Sequence, residues 1–181
     1  VGGIHADARV PPYKSPSLRK QLGKRSRTIE SQVLAAEPTS GKVALFATCY
    51  CNYNEPDLGN DLIAVFEHNS IAVVVSDKEW CCGVPKLELG DLSSVERAKQ
   101  RNIPTLARLV DEGWDLVALV PSCVLMFKQE LPLMFPDDPD VSRVAKAFFD
   151  PFEYLMLRHA AGQLNTVFTH GLGDVLYQAS C

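Results

Sequence analysis

KVALFATCYCNYNEPDLGNDLIAVFEHNSIAVVVS, residues 42–76, decides the architecture. Its first seven residues form a nearly continuous apolar run, the pattern of a strand buried on both faces of a parallel sheet. A polar loop, CYCNYNEPD, follows. Pro56 then opens a stretch in which Leu58, Leu62, Ile63, Val65 and Phe66 recur at helical spacing, ending about Asn69. IAVVVS at 71–76 is a second buried strand. A strand, a helix and another strand joined this closely make a right-handed crossover between parallel neighbours.

Downstream the alternation continues. After DKEWCCGVPKLELGD, Ser93 with Glu96 three residues on has the form of a capping box, opening a helix that Gly113 closes and Pro104 should kink or divide. DLVALV, 115–120, reads as a third strand. PSCVLMFKQELPLMF reads as a turn into a helix broken near Pro132, and VSRVAKAFF, 141–149, as a further helix. Asp150, Pro151 and Glu153 supply cap, first-turn proline and reciprocal acid for a last helix closed by Gly162, and GDVLYQAS, 173–180, reads as a fourth strand. The expected fold class is therefore α/β, a Rossmann-like parallel sheet with helices on both faces.

Upstream, residues 1–41 hold Pro11, Pro12 and Pro16 among Lys14, Arg19, Lys20, Lys24, Arg25 and Arg27, with no sustained apolar period. This stretch reads as an irregular basic leader or linker with a short helix near residues 26–36, and residues 42–181 as the folded domain. Val1 at the start, and Cys181 directly after a strand-like run, give the chain the look of a piece of a longer one.

Hydrophobic residues make up 46% and charged residues 22% of the chain, enough for a core and a soluble surface. The formal charge of −4 conceals an asymmetry: residues 43–181 carry ten Lys/Arg against nineteen Asp/Glu, a net −9. Phosphate recognition needs a basic face, so this body argues against nucleic acid as a partner. No stretch approaches the ~18 apolar residues of a membrane span, and the first residues lack the apolar core of a secretory signal.

Six cysteines without an export signal argue against a disulfide framework and for metal or redox chemistry. Cys49 follows the first strand, Cys81 and Cys82 follow the second, Cys123 the third and Cys181 the fourth. The carboxyl ends of parallel strands lie along one edge of a sheet, where such folds place ligands, so four loops are expected to converge on one thiol-rich cleft. Free cysteine is otherwise a small buried hydrophobe, the reading preferred for Cys51 alone. Structural zinc favours C-x-x-C knuckles, absent here, whereas the adjacent Cys81 and Cys82 can serve two irons of a wider cluster. Gly83 would let the backbone turn closely against the cluster's sulfides. A redox dithiol also lacks its usual C-x-x-C spacing, and no glycine-rich phosphate loop follows the first strand.

The succession ATCYCNYNEPDLG, CCGVPKLELGD and VPSCVLMFKQELP resembles the cysteine-rich CCG domain of heterodisulfide-reductase-related iron-sulfur proteins, a family that includes the iron-sulfur component of anaerobic glycerol-3-phosphate dehydrogenase. The resemblance implies an iron-sulfur electron-transfer subunit relaying electrons between a flavoprotein dehydrogenase and quinone or another acceptor. It implies residues 42–181 as a first CCG domain, truncated at the start of a second, and a cytoplasmic site, peripheral to the inner face of the membrane through a partner. Carried over residue by residue, it makes Cys49, Cys81, Cys82 and Cys123 the ligands of a [4Fe-4S] cluster, with Cys51 and Cys181 as further candidates. The family's last cysteine is here Met126, which leaves cubane and non-cubane forms both open. Two rival readings are a thiol-disulfide reductase of the heterodisulfide type and a metal-free interaction module.

Overall fold

The computed structural model describes residues 7, 12–22, 35–76, 79–171 and 173–176. Four parallel strands form one sheet: β1 (Lys42–Leu45), β2 (Ala72–Val75), β3 (Asp115–Val117) and β4 (Phe148–Phe149), in the order β2-β1-β3-β4. Val43 pairs with Val73 on one side and Asp115 on the other, and Leu116 pairs with Phe148. The α/β class read from the sequence is the class observed.

Successive residues of a strand face opposite sides of the sheet, and the two cores divide accordingly. Ala44, Phe46, Leu116 and Phe148 pack with Val95, Leu106, Phe127 and Val144 on one face. Val43, Leu45, Val117 and Phe149 pack with Leu18, Leu62, Phe66 and Tyr154 on the other. Helices α5 (Leu92–Asp111) and α8 (Pro139–Ala147) therefore cover one face, and α3 (Pro56–His68) and α9 (Pro151–Ala160) the other. The remaining helices are short: α1 (Leu18–Leu22), α2 (Cys49–Tyr53), α4 (Val84–Glu88), α6 (Pro121–Leu125) and α7 (Leu131–Met134).

The fourth strand is not where the sequence placed it. Residues 173–176 have no regular structure, 177–181 lie outside the described residues, and the sheet is completed by Phe148–Phe149. The helix read over 141–149 ends at Ala147, because each phenylalanine enters a different core and only an extended backbone allows that. The residue after this strand is Asp150, so the expectation of sulfur at every strand end fails here. Asp150 instead caps α9 in a capping box with Glu153, as the sequence indicated.

Three local expectations are also corrected. Asp91, not Ser93, caps α5, because its carboxylate accepts from Ser94 N and from both serine hydroxyls, a stronger cap than one hydroxyl. Pro104 does not divide α5, which runs unbroken for 20 residues. Ahead of Pro132, which has no N–H to donate, the helical run widens into a π-turn over Met126–Glu130 and then continues.

The stretch read as irregular leader contains α1. Leu18 is fully buried against α3, where Gly59 leaves it room: a Cβ there would collide with Leu18 Cδ2. Two leucines four apart are too few for a periodic signal but enough to dock one helical turn. The helix expected near 26–36 falls almost wholly outside the described residues. No described helix is long and apolar enough to cross a membrane.

Candidate functional site

In the order β2-β1-β3-β4, successive connections leave β1 in opposite directions, and the crevice at such a reversal is where open α/β sheets bind ligands. The loops after β1 and β3 flank that crevice, and the loop after β2 adjoins it. Each of these three loops carries cysteine.

Thr48 turns the chain from β1 into α2. Its φ of 56° lies in the left-handed region, unusual for a β-branched residue, and its hydroxyl accepts from Cys51 N at 3.1 Å. Cys49, the first residue of α2, is exposed, whereas Cys51 is buried. Burial raises the Cys51 thiol above its usual range, against the pull of the Thr48 hydroxyl.

The loop after β2 is held by side chains from elsewhere. Asn102, a buried residue of α5, accepts from Trp80 N at 2.8 Å and donates to the carbonyls of Trp80 at 3.3 Å and Cys81 at 3.1 Å. Arg101 lies over the Trp80 ring at 3.6 Å. At the loop's other end the buried Glu79 carboxylate accepts from Ala47 N at 3.0 Å and from Ser76 Oγ, and pairs with Arg19 Nη2 at 2.5 Å. Burial pushes Glu79 up to about 8, against the pull of Arg19 and of the Ala47 N–H.

Cys81 is exposed, and Cys82 turns inward onto Cys123, which α6 buries. Cys123 Sγ donates to Cys82 Sγ at 3.1 Å. Accepting that bond lowers Cys82 to about 7, despite burial, while Cys123 is driven far upward by having to keep the shared proton and by its own burial. Cys81 is raised, first by desolvation.

Gly83 follows with φ of 105° and opens α4. A Cβ there would sit 3.5 Å from both Ala98 Cβ and Met126 Cε, so the glycine is required by its backbone angle rather than by a clash. Met126 is fully buried beneath this turn, its thioether packed among apolar side chains. Tyr50, Tyr53 and Trp80 are exposed around the thiol loops.

Of the residues expected at the site, Cys82 and Cys123 are in contact. Cys49 and Cys81 stand exposed on neighbouring loops, Cys51 is turned into the core, and Cys181 lies outside the described residues. Arg19, Glu79 and Asn102 were missed. Asn102 left a trace in the sequence, a polar residue on the apolar stripe of α5 with Val95, Ile103 and Leu106; Arg19 left none.

An implied cluster can be tested against this donor set. Among the described residues, no group of three His, Cys, Asp or Glu converges tightly enough to hold one ion. The donors are all sulfur, two in contact and others on adjacent loops. Thiolates are the usual ligands of iron-sulfur groups, and the donors here are of that chemistry.

These observations define a cysteine-rich α/β domain in which Cys82 and Cys123 meet from the segments that follow β2 and β3. Residues 43–128 match the family model of the CCG cysteine-rich domain. The chain is similar to one of the subunits of anaerobic glycerol-3-phosphate dehydrogenase from Escherichia coli (strain K12), 33% identical over 92 residues covering 50% of this chain and 23% of that protein. It is similar to one of the subunits of the fumarate reductase (CoM/CoB) from Methanothermobacter marburgensis, 30% identical over 92 residues, 50% of this chain and 18% of the relative. Lactate utilization protein A of Bacillus velezensis is 29% identical over 109 residues, 60% of this chain and 44% of the relative. The chain thus spans less than half the length of each of these relatives. No solved structure matches it significantly.

Proposed function

We propose that this chain is the cysteine-rich part of an iron-sulfur electron-transfer subunit, with Cys49, Cys81, Cys82 and Cys123 holding a [4Fe-4S] cluster. The observation that carries the reading is the 3.1 Å contact of Cys82 and Cys123, brought together from two different strand-end loops beside the switch point. Such a cluster supplies reversible one-electron transfer. The chain's own residues do the rest: Asn102 fixes the Cys81 backbone, Gly83 turns the chain inward, and Met126 with the apolar residues around it keeps water from the inner side.

The names of the relatives, belonging to a dehydrogenase and a reductase, support a redox-subunit role. In this reading the partner is a flavoprotein dehydrogenase or another redox subunit, and the acceptor is quinone or another acceptor. In this reading residues 42–181, with α1 docked on them, form a CCG domain acting in the cytoplasm or at the inner face of a membrane through that partner. Anaerobic reconstitution tests it: the protein turns brown, bleaches on reduction and holds iron and sulfide in equal amounts. Colourless protein after careful loading contradicts it. Electron paramagnetic resonance of both redox states then distinguishes a cubane from a non-cubane cluster.

The same contact favours a second reading, a thiol-disulfide reductase. Cys82, lowered to about 7, would attack one sulfur of a small disulfide and release a thiol; Cys123 would then close the internal bond and release the second. The substrate disulfide is reduced by two electrons and the cysteine pair is oxidised. Titration of two thiols per chain by a small disulfide, in iron-free protein, is the result that would favour it.

A further inference from the structure

We infer that Arg19 is a positioning residue for the candidate site, and that the segment carrying it straps the two loops bearing Cys49–Cys51 and Cys81–Cys82. Arg19 lies outside the stretch 43–128 that matches the family. Its backbone N–H donates to Asn52 Oδ1 at 3.1 Å, a buried residue directly after Cys51. Its guanidinium donates through Nη1 to Ser76 O at 2.6 Å and pairs through Nη2 with Glu79 at 2.5 Å, at the two ends of the turn leading to Cys81. Glu79 in turn holds Ala47 N, two residues before Cys49. One arginine thus closes a ring of contacts through both cysteine loops.

The segment around it is laid over α2. Lys14 N donates to Tyr53 O at 2.7 Å, Lys14 Nζ pairs with Glu55 at 3.0 Å and Asp57 at 3.1 Å, and Leu18 seats against Gly59. The Glu79 carboxylate is almost wholly withdrawn from water, and a fork-shaped guanidinium can meet both it and the Ser76 carbonyl at once. Lysine, a single point charge, cannot make the same pair of contacts. Removing Arg19 leaves a buried acid and a carbonyl without their partner, between α2 and the loop that carries Cys81 and Cys82.

The test uses the full chain in metal-free form. The rate at which the buried thiols of Cys51 and Cys82 are alkylated is mapped by peptide, with hydrogen exchange of the β3 amides as the control for global unfolding. Arg19→Gln should raise both alkylation rates at least about tenfold while β3 protection holds. Gly59→Ala, whose Cβ would collide with Leu18 Cδ2 and displace it from its seat on α3, should do the same without touching any charge. Unchanged alkylation in both single variants overturns the inference, as does acceleration matched by equal loss of β3 protection, which is general loosening.

The link to a cluster rests on the reading given above, and a separate measurement carries it: iron lost to a chelator from reconstituted protein should be at least about tenfold faster in Arg19→Gln than in wild type. Wild type that takes up no iron contradicts the cluster reading, while the alkylation comparison still decides the strap.

Discussion

Asn102 holds Cys81 by its backbone: the buried amide of one donates at 3.1 Å to the carbonyl of the other, across the face of the sheet that α5 covers. The first cysteine of the adjacent pair is therefore placed by a residue 21 positions further along the chain. The same amide satisfies both polar groups of the Trp80 backbone, so three hydrogen bonds depend on one side chain.

Asn102→Ala should accordingly destabilise the metal-free chain by about 2–3 kcal/mol, because it leaves backbone groups of Trp80 and Cys81 unsatisfied and opens a small cavity. Asn102→Asp keeps the acceptor for Trp80 N but places negative charge against two carbonyls, and should be worse. Urea unfolding measures both. Stability within about 0.5 kcal/mol of wild type in either variant would show that the loop is held by other means.

The ligand set is tested by iron per chain. Cys82→Ser should lose most of the bound iron, whereas Cys51→Ser should retain it, since the Cys51 thiol is packed in the core and raised by burial. Loss confined to Cys51→Ser would move the first loop's ligand from Cys49 to Cys51. Met126→Cys would restore the family's paired spacing and should alter the paramagnetic spectrum of the loaded protein.

Gly83→Ala has room for its methyl group but not a comfortable backbone, with φ at 105°. The strain should cost about 1–3 kcal/mol, a fall in melting temperature of roughly 2–4 °C for each kcal/mol. A melting temperature unchanged within error would mean that the turn relaxes without penalty.

At the opposite end of the sheet, Asp115 accepts from Ser40 N at 2.7 Å, from Ser40 Oγ at 2.8 Å and from Tyr154 OH at 2.8 Å. Burial raises its carboxyl above the ordinary range, despite these donors. A raised folded pKa gives stability that is full below the unfolded value of ~4 and lost as pH climbs through the folded one. The stability of wild type minus that of Asp115→Asn should therefore fall as pH rises from about 4 toward neutrality. Chemical unfolding at a series of pH values gives this difference; a rising difference would show that the hydrogen bonds outweigh desolvation.

Much of the fold was legible because it rests on local pattern. The runs at 42–48 and 71–76 became β1 and β2, and Pro56 and the Asp150–Glu153 pair began helices where the sequence put them. The fourth strand was missed for the same reason in reverse: two residues, Phe148 and Phe149, are too short a run to show any period. GDVLYQAS imitated a strand with a longer apolar pattern, and its described residues form none.

The sequence by itself determined the class of the domain and the chain positions of Cys49, Cys81, Cys82 and Cys123 just beyond their strands, because alternation of strand and helix is a property of near neighbours. Only the tertiary structure decided that Cys82 and Cys123, 41 residues apart, stand 3.1 Å from one another, that Cys51 points away into the core, and that Arg19 reaches Glu79. Those outcomes depend on the order β2-β1-β3-β4 and on which helix packs over which face. Strand order and helix packing are set by the summed burial of both cores, which no stretch of adjacent residues encodes on its own.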